Sequence, residues 1–292
     1  MAMKRILAVF LFSALAAQAQ REVQYSQYMA NPLAINPAYA GVRENFHFNA
    51  ILRKQWITGI QGLPITQSFA MDGATANRKI GFGLQGLNDR VNLNTAIFGM
   101  LAYHYKISET QKLSVGVLGG INVLPVRDGF NFVGVNRALA SAGVGVYYED
   151  ETYFGGVSMP EILKQTYGYA SGLLNYQRPV FIQVGLKVQV NDEVLVQPSV
   201  LLTKPEQGKL RADLNAMAQI QQRFQVGLSV RLGTTTYWQG LLQYDLTKNL
   251  RVGYAYSSRR VEDFSFISSS VIPGAGKGIH ELMITLQPNP QQ

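Results

Sequence analysis

At 292 residues the chain is 47% hydrophobic but only 15% charged, and its mean hydropathy is +0.01. It has no cysteine, which excludes disulfides, thiol catalysis, thiolate metal sites and N-terminal acylation at a lipobox. The formal net charge is +8, yet Lys and Arg are dispersed over the chain, so the charge is assigned to a lumen and its rims and not to a nucleic-acid surface.

The first nineteen residues read as a secretory signal peptide. Lys4 and Arg5 supply the positive start, Ile6 to Ala17 an apolar stretch shorter than the roughly 20 residues of a spanning helix. Ala17-Gln18-Ala19 gives the small-x-small cleavage pattern. Residues 20–45 follow without alternation and are rich in Asn, Pro, Tyr and Gln. Asn31-Pro32 and Asn36-Pro37 start turns, because the residue before a proline is pushed out of the helical region and an Asn side chain can bond the backbone ahead. Tyr25, Tyr28, Met29, Leu33, Ile35 and Tyr39 are available for packing. The segment is expected to plug a barrel or to lie beneath its periplasmic mouth, and Tyr25, Tyr28, Asn31, Pro32, Asn36, Pro37 and Tyr39 are expected either to serve that plug or to dock a partner.

From residue 46 to 288 apolar and polar residues alternate, which means extended strands with one greasy face. About fourteen strands are expected. They run near 46–58, 64–72, 79–88, 91–106, 111–124, 142–149, 152–159, 179–190, 193–203, 208–221, 223–233, 235–244, 249–258 and 277–288, leaving 289–292 as a tail. Links after even strands are short, whereas three after odd strands are long: 125–141, 160–178 and 259–276. That asymmetry, the even count and charges in mid-strand predict a closed antiparallel transmembrane β-barrel in an outer membrane, with lipid outside and water inside. Tyr103, Tyr105, Trp238, Tyr244, Tyr254 and Tyr256 fall on the apolar face near strand ends, as an aromatic girdle requires. Pro198 inside the ninth strand predicts a fault in the ladder. In-strand glycines such as Gly81, Gly116 and Gly145 are expected either where another backbone passes close by or where the sheet curves.

Candidate sites follow from this layout. Lys187, Arg211, Asp213, Arg223, Arg231 and Arg251 are expected to line one arc of the lumen, as a salt-bridged lining or as the selective wall of an anion channel. Trp56 is expected as an interfacial anchor at the outer end of the first strand. Phe264, Phe266 and Ile267 make the last long loop greasy, which suits a partner surface or a loop folded into the lumen. His47, His104 and His280 lie on separated strands with no metal-ligand spacing. A lipase on the outer wall would need a serine beside His104, and no neighbouring serine pattern stands there. No cofactor motif is present, and no catalytic residue is assigned.

The run from Gln24-Tyr25-Ser26-Gln27-Tyr28-Met29 through Asn31-Pro32-Leu33-Ala34-Ile35-Asn36-Pro37-Ala38-Tyr39-Ala40-Gly41 resembles the opening of the PorP/SprF family. The resemblance continues in Arg53-Lys54-Gln55-Trp56 and from Gly59 to Gln67, and weakly at Gly278-Ile279-His280-Glu281-Leu282. Ala30 departs from it, standing where a bulky residue is expected. This resemblance implies an outer-membrane barrel of the type IX secretion system of Bacteroidetes. It further implies help in secreting or surface-anchoring a partner such as a gliding-motility adhesin, and contact with the periplasmic, peptidoglycan-linked machinery. A passive porin is the competing expectation, with an outer-membrane lipase behind it.

Overall fold

The computed structural model describes residues 26–29, 31–55, 65–89, 94–127, 134–164, 166–169, 172–175, 178–206, 208–233, 236–258 and 278–287. Residues 1–19, expected to be a signal peptide, lie outside those residues, as do Tyr25, Trp56, Phe264, Phe266, Ile267 and the stretch 289–292.

Fourteen strands form one closed antiparallel barrel. They are β1 (His47–Gln55), β2 (Ile65–Ala74), β3 (Ile80–Asp89), β4 (Asn94–Lys106), β5 (Lys112–Arg127), β6 (Gly134–Glu149) and β7 (Tyr153–Met159). The rest are β8 (Val180–Leu186, continued as Val188–Asn191), β9 (Val194–Lys204), β10 (Arg211–Ile220), β11 (Phe224–Leu232), β12 (Tyr237–Asp245), β13 (Leu250–Ser257) and β14 (Ile279–Leu286). Each strand pairs with its sequence neighbours, and β1 closes on β14 from Phe48↔Leu286 to Gln55↔Ile279. Closure gives every strand a partner on both sides, which an open sheet in lipid would lack at its edges.

Burial is inverted relative to a soluble protein. On β14 the outward Leu282 and Ile284 are 56% and 51% exposed, while the inward Glu281 is 0% exposed. The same holds for Val226 and Leu228 against Ser229 and Arg231 on β11, and for Leu101 and Tyr103 against His104 on β4. A wall that hides its charges and shows its aliphatic side chains is at equilibrium only with hydrocarbon outside. Tyr103 and Tyr105 stand exposed at one end of this band, and Trp238 and Tyr254 stand exposed toward the other. No helix among the described residues is long and apolar enough to cross a membrane; the strands cross it.

Two expectations change in detail. The sixth strand begins at Gly134 and not at 142, because β5 and β6 pair all the way from Lys112↔Glu149 to Arg127↔Gly134 and run beyond the barrel rim. The long link after β7 is also not featureless. It carries a small antiparallel hairpin, Thr166–Tyr169 with Gly172–Asn175, whose first strand lies beside β5. Its Gly-rich, short-stranded sequence gives too few alternating residues to be read as strand.

The links after the even strands are all short and lie at one end. In the 221–223 turn, Gln221 and Gln222 have φ of 50° and 54°, the positive values of a primed turn that matches strand twist. Residues 44–46 and Gln287 reach the same end, so the barrel enters and leaves there.

Candidate functional site

The described residues before β1 include three single-turn 3-10 helices, Ser26–Met29, Pro32–Ala34 and Pro37–Tyr39. The last two begin with Asn-Pro, where the ring pre-sets φ and the missing N–H is not needed. Asn36 acts as a cap: its Oδ1 accepts from the Ala38 backbone N–H at 2.9 Å. Asn31 makes no side-chain cap bond. Its buried position, together with Pro32, is set by packing.

This segment lies against the inner faces of the strands. Leu33 and Ala40 pack with Ala70, Met100, Ala102 and Leu118 on β2, β4 and β5. Tyr28 and Ile35 pack with Phe181 and Leu201 on β8 and β9, and Ala38, Tyr39 and Val42 with Tyr147 on β6. Burying side chains of this size contributes about 1.5–3 kcal/mol each for the larger ones. Polar bonds fix the register. Tyr28 Oη donates to Asn215 Oδ1 at 2.9 Å, Asn36 Nδ2 donates to the Val146 carbonyl at 3.0 Å, and Ser158 Oγ donates to the Ile35 carbonyl at 2.6 Å. Burial pushes the Tyr28 and Tyr39 hydroxyls up, so both stay neutral. Gly41 turns the chain toward the mouth with φ of 73°, and its N–H donates to Asp72 Oδ2 at 3.0 Å.

The glycines of the wall face this backbone. A methyl on Gly81 would overlap the Ala40 carbonyl, and one on Gly116 would overlap the backbone of Ala38. Close passage of a second backbone accounts for these two positions.

Below the segment, at the short-turn end, opens a polar cavity of about 990 Å³. Tyr39 forms part of its lining and stands edge-on to Tyr147 at 5.1 Å between ring centres. Lys112 Nζ donates to Glu44 Oε1 at 2.9 Å and to the Val42 carbonyl at 3.1 Å, while Arg78 pairs with Glu44 Oε2 at 2.9 Å. Lys187 Nζ donates to the Asp150 carbonyl at 3.0 Å and stands 3.5 Å from Glu149. In the adjacent turn, the N–H groups of Tyr153 and Thr152 hold the Asp150 carboxyl below its usual range. Glu44, Asp72, Lys112 and Asn215 are absent from the residues singled out by sequence. Their one signal is a polar residue on the inward parity of a strand or at its foot, which many positions share.

The six charges do not form one stripe. Asp213 and Arg231 meet on neighbouring strands in the upper wall, both buried, with Arg231 Nε and Nη2 each 2.6 Å from a carboxylate oxygen. The guanidinium donates a third bond to Tyr237 Oη. Arg211 is half-buried at the start of β10. Lys187 sits at the break in β8, and Arg251 is bound to Asp245 at 2.5 Å near the short-turn rim. Arg223 is a correction: it stands exposed in the 221–223 turn, because the hairpin there consumes it instead of placing it on the wall.

His104 does have a serine beside it. His104 Nδ1 lies 2.7 Å from Ser114 Oγ, its direct cross-strand partner. Both are buried on the inner wall beneath Ala40, and not on the lipid face where a lipase would work. No group of three or more metal-ligating side chains occurs among the described residues.

The barrel has solved counterparts. It is similar to the outer membrane protein Omp33 of Acinetobacter baumannii, at 8% identity and a TM-score of 0.54, covering 84% of this chain and 98% of that one. It is also similar to the toluene transporter TbuX of Ralstonia pickettii, at 12% identity and a TM-score of 0.50, covering 88% and 93%. At such identities the likeness shows the outer-membrane barrel fold alone. No curated protein matches the chain. The family model described as type IX secretion system membrane protein PorP/SprF matches residues 17–286, nearly the whole chain, and the protein therefore belongs to that family.

Proposed function

We propose that this barrel is a closed accessory of type IX secretion. It binds an exported partner such as an adhesin at the cell surface and the peptidoglycan-linked machinery at its periplasmic mouth. In this reading the short-turn end faces the periplasm, as short turns do in bacterial outer-membrane barrels. The N-terminal signal is removed on export, and the mature segment 20–45 serves as an internal plug.

The observation that carries the reading is the burial of residues 31–42 inside the barrel, bonded to four different strands. A porin needs a clear water path, and a packed segment opposes one. The charged mouth offers the exposed Arg78 and the partly exposed Glu44 and Lys112 at the periplasmic end, where machinery would dock. The long links of the opposite end, including Phe264, Phe266 and Ile267, are assigned to the exported partner. The protein is proposed to have no catalytic role, with membrane lipid as its surroundings and not its substrate.

The test is genetic and biochemical. Deletion in the native host is expected to abolish surface display of an adhesin, and a pull-down from solubilised membranes is expected to recover that adhesin with periplasmic components. Undisturbed display after deletion contradicts the proposal.

A further inference from the structure

Among the described residues the lipid-facing wall is interrupted between two strands. Between β8 and β9 the ladder runs from Val180↔Lys204 to Gly185↔Ser199, then stops and resumes at Val188↔Val196. Opposite Leu186 in that gap stands Pro198, which has no N–H to give. The ladder from β9 to β10 runs through Pro198 without a break, so the fault lies on the β8 side alone. Small residues stand on the outward parity beside it: Gly155 on β7 and Ala216 on β10. Large apolar side chains surround them, among them Val184, Val200, Leu214 and Leu228. The result is an apolar groove of about 780 Å³ in the outer wall. Behind the same wall a second cavity of about 190 Å³ separates Phe154, Gln183 and Ser199 from Met29 and Pro32 of the lumenal segment. Phe154, Gln183 and Ser199 border both spaces.

We infer that this groove is a binding site for one acyl chain of a membrane lipid. The occupant follows from the surroundings. The groove opens on the exposed aliphatic band, whose solvent is hydrocarbon, and a concavity left unfilled there forfeits dispersion contacts on one side. A flexible chain entering from the bilayer fills it without crossing water. A second barrel presents a convex wall of strands and cannot fill a cleft between small residues so well. Held chains differ from ordinary boundary lipid because the groove contacts them on several sides, not one.

The experiment uses the full-length protein in phosphatidylethanolamine–phosphatidylglycerol vesicles containing a phosphatidylethanolamine with a diazirine in mid-chain. After irradiation, peptide mapping compares label on Val200, Leu214 and Leu228 with label on Ile97, Leu101 and Val117, exposed apolar residues of β4 and β5. Groove labelling is expected to exceed the β4–β5 labelling by about tenfold, and to fall by about as much in Ala216→Phe, which fills the cleft, with the control wall unchanged. A heat-dependent shift in gel mobility verifies that the variant barrel is folded. Leu228→Trp is a second filling variant, and the comparison of the two walls in the wild type holds without either. Equal labelling of both walls, or labelling indifferent to filling, overturns the site. Cross-links between two chains at the groove overturn it in favour of a second copy.

Discussion

Gly116 on β5 and Ala38 in the lumenal segment stand so close that one cannot gain a methyl group without displacing the other. Gly119, three residues along the same strand, points outward and would meet nothing within 4 Å. The pair makes a controlled test. Gly116→Val is expected to unseat the segment, whereas Gly119→Val is expected to leave it in place. Because the chain has no cysteine, Leu33→Cys gives a single reporter at a site that is 2% exposed. Maleimide labelling of that cysteine should be slow alone and with Gly119→Val, and fast with Gly116→Val. Equal rates in all three would mean that the segment is not held by this contact.

The Asp213–Arg231 pair predicts a non-additive pattern. Asp213→Ala leaves a buried guanidinium without its carboxylate, which costs about 3–5 kcal/mol. Replacing both with apolar residues of similar size, as Asp213→Leu with Arg231→Met, removes the stranded charge and should recover most of that loss. Urea unfolding in detergent micelles measures both. Additive losses would show that the two residues act separately.

Tyr28→Phe deletes the donor to Asn215 and leaves a buried amide oxygen short of a partner, a cost of about 1–3 kcal/mol. That cost falls on seating the segment rather than on the barrel. The Leu33→Cys reporter should therefore label faster while strand content by circular dichroism stays the same.

At the mouth, Lys112→Glu opposes Glu44 and should reduce recovery of periplasmic components in a pull-down, with Glu44→Lys restoring it in the double variant. Ser114→Ala separates the secretion reading from a hydrolase. Adhesin display should persist in that variant, since Ser114 only bonds His104 beneath Ala40.

The barrel is legible in the sequence because a period of two with charges on one parity has few other solutions. Rows read from the alternation meet across the sheet, as Leu214, Ala216 and Ala218 face Val230, Leu228 and Val226. The Pro198 fault is legible for the same reason: a residue without an N–H must break a ladder somewhere. What alternation cannot carry is which inward residues meet across strands. His104 and Ser114 are ten positions apart and become neighbours only once β4 and β5 are aligned. Arg223 shares the parity of Arg231, yet it falls in the 221–223 turn and so leaves the wall. The lumenal position of Tyr28 depends on a contact 187 residues away, which no local pattern encodes.

Conductance in planar bilayers tests the central claim most directly. The purified wild-type barrel is expected to give no stable current step if the buried residues 31–42 act as the proposed plug, and Gly116→Val is expected to produce one. A steady open current from the wild-type protein, unaltered by Gly116→Val, would contradict the account.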